Sequence, residues 1–151
     1  YFGGKVPAAE VGPDHPLRSL ADRVVEDYWA HMEAFRLRQG VEAVFSLVKR
    51  ANKYIDESQP WAKTDDPGAQ ALILYALAET LRIVAILLSP ILLQGAPGIF
   101  HQLGLDPALL ETVRLEDARW GGLPPGTAIR KGAPLYPRLD PKQVEPVVPP
   151  R

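Results

Sequence analysis

The stretch Asn52-Lys53-Tyr54-Ile55-Asp56-Glu57-Ser58-Gln59-Pro60-Trp61 carries the end of one long helix and an aromatic residue placed just beyond it. Working back from it, Ile55, Ala51, Val48, Phe45, Val44 and Val41 recur at the spacing of one helix face, with Asn52 filling a slot in the same stripe. The pattern predicts a helix over 37–58 that Pro60 stops, with Gln59 biased toward an extended backbone by the proline after it. An Asn on a buried stripe must be hydrogen-bonded or it costs about 1–3 kcal/mol. Asn52 is therefore expected to tie this helix to a neighbour or to the loop carrying Trp61. Trp61 follows the helix-ending Pro60 and is ringed in sequence by Lys49, Arg50, Lys53 and Lys63. Aromatic faces stack splayed-out bases while nearby cations hold phosphates, which is one use for such a group. An ordinary core anchor at a helix exit is the other.

Outward from this segment the chain reads as helices separated by Pro and Gly. Residues 1–13 hold Gly3, Gly4, Pro7, Gly12 and Pro13 and are expected to be loop. Asp14-His15-Pro16 is a helix start, followed by Leu17, Leu20, Val24, Tyr28 and Met32 at helical spacing, with Ala21 and Val25 widening the stripe. Trp29, next to Tyr28, is expected in or half in the core. Asp65-Asp66-Pro67 opens another helix, apolar nearly all round from Ala69 to Leu88 except at Gln70, Glu79, Thr80 and Arg82. About 20 apolar residues would cross a bilayer. Glu79 and Arg82 sit mid-segment, where charge is expensive in lipid, so a central helix buried by its neighbours is the better reading.

Ser89-Pro90 ends that helix, and a shorter one is expected over 91–103, irregular around Gly95, Pro97 and Gly98 and capped by Gly104. Residues 106–113 make a further helical turn or two. None of the 16 prolines lies between Pro16 and Pro60, whereas eight fall in the final 28 residues, so the body is helical and the tail is not. Only 128–130 and 135–136 suit short extended pieces there, Trp120 is expected to fasten the tail to the bundle, and 141–151 read as a Pro-rich linker. The sum is an all-α, antiparallel bundle of four to five helices over 1–140 with an irregular Pro/Gly-rich C-terminal tail.

Composition excludes several kinds of chemistry. With 46% hydrophobic and 23% charged residues the chain is an ordinary globular protein, and at a net charge of −1 any RNA contact must come from a local patch. The chain has no cysteine, which removes disulfides, thiol nucleophiles and Cys-zinc sites. His15, His31 and His101 have no ligand spacing, and no Gly-x-Ser-x-Gly occurs. Gly3-Gly4 and Gly121-Gly122 lack the fingerprint of a phosphate-binding loop. Asp65-Asp66 is explained by capping, and Asp56-Glu57 by a solvated last turn or by a role beside Trp61. No residue pattern is catalytic or metal-binding. The opening Tyr-Phe-Gly-Gly-Lys has neither an initiating Met nor a secretory pattern, and the chain reads as part of something larger.

The helix carrying Asn52-x-Tyr-Ile-Asp56 and then Pro60-Trp61 resembles the anticodon-binding domain of the methionyl-tRNA synthetase family. Ser89-Pro90, the Leu-Gly-Leu turn at 103–105 and Pro-Leu-Tyr-Pro-Arg at 134–138 continue the likeness from about Tyr1 to Asp140. The resemblance implies a domain that reads the CAU anticodon while a separate catalytic domain activates methionine with ATP and charges the tRNA. It assigns stacking to Trp61, positioning of its loop to Pro60 and Asn52, and rejection of wrong bases to Asp56; Lys49, Arg50, Lys53 and Lys63 would meet phosphates. ATP, and zinc in members with a metal-binding insertion, belong to the parent enzyme. The implied partners are a tRNA anticodon stem-loop and the catalytic domain, with no membrane and no DNA, in the cytoplasm. The family's Asn and Arg, four apart on a preceding helix, and its His-Ile-Gly-His and Lys-Met-Ser-Lys-Ser signatures are not in this sequence, which would leave it part of the anticodon site and no active site. Related leucyl, isoleucyl, valyl and cysteinyl domains, and a helical protein-interaction module with no RNA role, are the alternatives.

Overall fold

A computed structural model describes residues 1–138; the linker expected over 141–151 lies outside them. The helices are α1 (Pro16–Glu33), α2 (Leu37–Ser58), α3 (Pro67–Leu88) and α4 (Gly95–Gln102), joined by 3-10 turns that include Pro60–Ala62, Pro107–Glu111 and Leu115–Ala118. Among the described residues there is no strand, only an isolated antiparallel bridge between Lys5 and Ala128. Around that bridge the Val6 N–H donates to the Thr127 carbonyl and the Ile129 N–H to the Gly4 carbonyl, joining the two ends of the described chain.

Two of the four helices, α1 and α3, begin at a side-chain cap. His15 is the N-cap of α1, its Nδ1 accepting from the Leu17 N–H at 3.3 Å, with Pro16 in the first turn. Asp66 caps α3 through the Ala69 N–H at 2.9 Å. α4 starts at Gly95, later than the expected 91, because 91–94 form a turn after Ser89-Pro90. Gly104 (φ +78°) ends α4 in the left-handed region, and the Leu105 N–H closes back on the Phe100 carbonyl. The 3-10 turn at Leu115–Ala118 had no expectation in the sequence.

α3 is the axis of the bundle. It packs against α1, α2 and α4, and Ile83–Leu88 are all buried, together with Leu17, Ala21, Val24 and Tyr28 of α1, Val44 and Leu47 of α2, and Phe100 of α4. By length and composition α3 could span a membrane, but most of it is enclosed by the bundle.

Two expectations about packing fail. On α2 the buried line is Gly40, Val44 and Leu47, continued by half-buried Ala51 and Tyr54, while Phe45 is 45% exposed and Asn52 is in solvent. The stripe lies on the side of Leu47 and Tyr54, rotated away from Asn52, so Asn52 needs no buried partner. On α1, Trp29 is 48% exposed. Adjacent helical residues point about 100° apart, so with Tyr28 turned inward its neighbour faces out.

The Gly121-Gly122 pair serves a carboxylate of the protein itself. Glu79, wholly buried on α3, accepts from the N–H groups of Gly121 (2.7 Å), Gly122 (2.9 Å) and Leu123 (2.9 Å). Gly121 has φ +97°, and a Cβ on Gly122 would come within 2.5 Å of the Arg82 guanidinium, so both positions call for glycine. Arg82 in turn donates to Glu79 and to the carbonyls of Asp117 and Arg119. Trp120, half-buried, packs against both parts of the core and fastens this segment as expected.

Candidate nucleic-acid interface

The end of α2 builds the candidate site. Ser58 bonds back to the Tyr54 carbonyl, and Gln59 turns the chain in the left-handed region (φ 44°, ψ 65°) rather than in the expected extended conformation. The proline after it disfavours right-handed helix, and the chain reaches Pro60 through a left-handed helix cap. Pro60 is buried, and its carbonyl accepts from the buried Gln70 Nε2 at 2.8 Å and from the Lys63 N–H at 3.3 Å. The Ala62 N–H closes onto the Gln59 carbonyl at 2.8 Å. Beyond the anchored Pro60, Trp61 stands 52% exposed. It is not a core anchor.

Asn52 and Asp56 share one exposed face of α2 with Lys49 and Phe45, at steps of three and four residues that stack along a helix. From Phe45 to Asp56 this face runs for about 16 Å. Neither Asn52 nor Asp56 has a hydrogen-bond partner among the described residues, so both polar groups are open to solvent. Asn52 stands on the open face and does not hold the Trp61 loop.

The four cations divide in two. Glu57 holds Arg50 Nη1 at 3.1 Å and Lys53 Nζ at 3.6 Å, and Arg50 also lies over the Tyr54 ring, 5.7 Å from its centre. Lys49 and Lys63 are exposed and have no ion-pair partner among the described residues. Beneath this cluster the Tyr54 hydroxyl meets His15 Nε2 at 2.9 Å, joining the end of α2 to the start of α1. Burial, and then the positive charge of Arg50, lower the His15 pKa. Burial raises that of Tyr54.

The site is an open surface, as stacking on an unpaired base requires. An apolar groove of about 500 Å³, lined by Phe2, Leu74, Leu81 and Leu135 among others, shares no residue with it. Among the described residues no group of three His, Asp or Glu could hold a metal. Sequence reasoning put the exposed Phe45 in the buried stripe and missed the bond of Gln70 and the pairing role of Glu57. Gln70 carried a signal, as an amide in an otherwise apolar run, but its partner could not be read.

The fold and its exposed aromatic turn define an all-α domain with an open polar face at one end. A family model described as the anticodon binding domain of methionyl tRNA ligase matches residues 6–147, and the chain belongs to that family. It is 42% identical over 147 residues to the methionine–tRNA ligase of Enterococcus faecalis, covering 93% of this chain and 22% of that protein. To the methionine–tRNA ligase of Streptomyces coelicolor it is 40% identical over 153 residues, covering 94% of this chain and 28% of the other. Among solved structures, the free form of Mycobacterium tuberculosis methionyl-tRNA synthetase superimposes with a TM-score of 0.79 at 30% identity, over 91% of this chain and 28% of that one. The same enzyme in complex with methionyl-adenylate gives a TM-score of 0.77. The chain thus spans between a fifth and a third of the length of these relatives.

Proposed function

We propose that this domain binds a tRNA anticodon stem-loop and reads its CAU triplet, for a synthetase whose separate catalytic domain activates methionine with ATP and transfers it to the tRNA. The observation that carries the reading is Trp61: half its surface is open, directly after a buried Pro60 whose carbonyl is bonded to the core helix. Stacking on such a ring contributes about 1–3 kcal/mol per base and little base identity. Identity comes from the open face of α2. The Asp56 carboxylate accepts from a cytosine amino group and repels base edges that present only acceptors, while the Asn52 amide offers both donor and acceptor to an adenine or another edge. Lys49 and Lys63 meet the backbone phosphates, which suits a chain of net charge −1 that needs its cations local.

Use of ATP is supported by the methionyl-adenylate carried by the M. tuberculosis relative. Any zinc of the parent enzyme would find its ligands outside the described residues, which hold no suitable cluster. Such an enzyme would work in the cytoplasm, with its tRNA substrates.

The test is Trp61→Ala in the full-length synthetase, with methionine activation and tRNA charging assayed separately. Intact activation with charging efficiency reduced about tenfold or more supports the reading. Unchanged charging removes Trp61 from the anticodon. Equal loss with CAU and with altered anticodons would assign Trp61 to affinity alone, and Asp56→Asn then tests discrimination.

A further inference from the structure

We propose that Gln70 is a positioning residue for anticodon recognition: its buried amide holds the peptide plane from which Trp61 projects. The inference rests on the stacking role of Trp61 and adds the element that sets its geometry. Gln70 lies in the first turns of α3 and is only 5% exposed. A polar side chain there costs free energy unless it is satisfied, and an apolar residue would fill the space more cheaply. Its Nε2 donates, at 2.8 Å, to the Pro60 carbonyl.

That carbonyl belongs to the planar peptide unit ending at the Trp61 nitrogen, so fixing its oxygen fixes the orientation of the bond on which Trp61 begins. The rest of the turn is thinly supported. The Lys63 N–H reaches the same oxygen at 3.3 Å, and the Ala62 N–H reaches the Gln59 carbonyl, but both are local bonds that move with the turn. The Gln70 bond is the side-chain hydrogen bond that refers the turn to the core helix. Pro60 is buried beside it, so the pair makes one fixed point under an exposed indole.

A stacking platform gains affinity from being held in place before the base arrives, since an indole that samples many orientations must be ordered on binding. Gln70 therefore acts on affinity and on the efficiency of charging through tRNA, and not on the activation of methionine.

The test uses Gln70→Met, which keeps length and apolar volume and removes the donor, in the full-length synthetase. The expected result is a KM for tRNA raised about fivefold with unchanged methionine activation. In a Trp61→Ala background the same substitution is expected to cost nothing further, because the residue it positions is gone. With 5-fluorotryptophan, the Trp61 fluorine signal, assigned by its loss in Trp61→Phe, is expected to shift or broaden in Gln70→Met while those of Trp29 and Trp120 stay put.

Gln70→Glu serves if the methionine variant does not fold, since it keeps the shape and replaces the donor with an acceptor. An unchanged KM, or an equal penalty with and without Trp61, overturns the proposal. If Trp61→Ala itself leaves charging intact, the stacking reading fails first. If Trp61→Ala impairs charging and Gln70→Met does not, only the positioning role fails.

Discussion

Glu79 and Arg82, one turn apart on α3, form a buried ion pair at 2.7 Å that also collects the backbone of residues 117–123. A plain buried pair can often be exchanged for apolar residues at little cost. This one cannot, because removing both partners would strand the carbonyls of Asp117 and Arg119 and the N–H groups of Gly121, Gly122 and Leu123. Glu79→Ala leaves a buried guanidinium unpaired and is expected to cost about 3–5 kcal/mol, lowering the thermal midpoint by about 10 °C. The double change Glu79→Leu with Arg82→Leu is expected to remain clearly destabilised. A scanning calorimetry trace of the double variant at or above the wild-type midpoint would refute this account.

Glu57 restrains two of the four cations near Trp61. Glu57→Gln frees Arg50 and Lys53 for phosphate, so RNA affinity at low salt is expected to rise and the slope of log K against log salt to steepen by about one or more. Lys63→Ala is expected to lower that slope by about one. Titrations of the anticodon stem-loop at several salt concentrations measure both.

Gln59 holds a left-handed conformation (φ 44°) that a side chain disfavours. Gln59→Gly is expected to stabilise the domain by about 0.5–1 kcal/mol, since glycine adopts this geometry without the Cβ contact. Urea denaturation gives the number, and a clear loss of stability would mean that the Gln59 side chain contributes contacts of its own.

His15 caps α1 through an unprotonated Nδ1, so in the neutral ring Nε2 carries the proton toward the Tyr54 hydroxyl. Its pKa is lowered in the folded state, first by burial and then by Arg50. The unfolded chain therefore takes up this proton at higher pH than the folded one does. The His15 contribution is complete above about pH 6.5 and is lost as pH falls from there through the lowered folded value. His15→Asn, which keeps a capping acceptor, is expected to show less loss of stability on acidification over that interval. Equal pH profiles for the two proteins would exclude His15 as a source of acid sensitivity.

The helices were legible because their signals are local. Pro16 and Pro67, each in the first turn of its helix, and the cap at Asp66 sit where the sequence put them. α2 also runs over the expected span. What the sequence could not supply was rotation and long-range pairing. The apolar positions of α2 are broad enough to admit two stripe directions, and only the packing of Leu47 against its neighbours sets which one is buried, leaving Asn52 outside. Tyr28 and Trp29 compete in the same way for one inward position. Gly121-Gly122 had no visible purpose because its carboxylate lies 42 residues earlier. Gln70 and the Pro60 carbonyl, ten residues apart across a turn, were hidden for the same reason.

The bonds from α3 to residues 117–123, counting the Tyr75 hydroxyl to the Leu123 carbonyl, span 35 to 48 residues of chain, which makes them costly loop closures. Because α3 supplies their partners, this segment is expected to dock late in folding. Its amides then exchange with solvent only when the segment lets go of the core. The N–H groups of Gly121, Gly122 and Leu123 thus become reporters of the domain's opening, readable one residue at a time by hydrogen exchange.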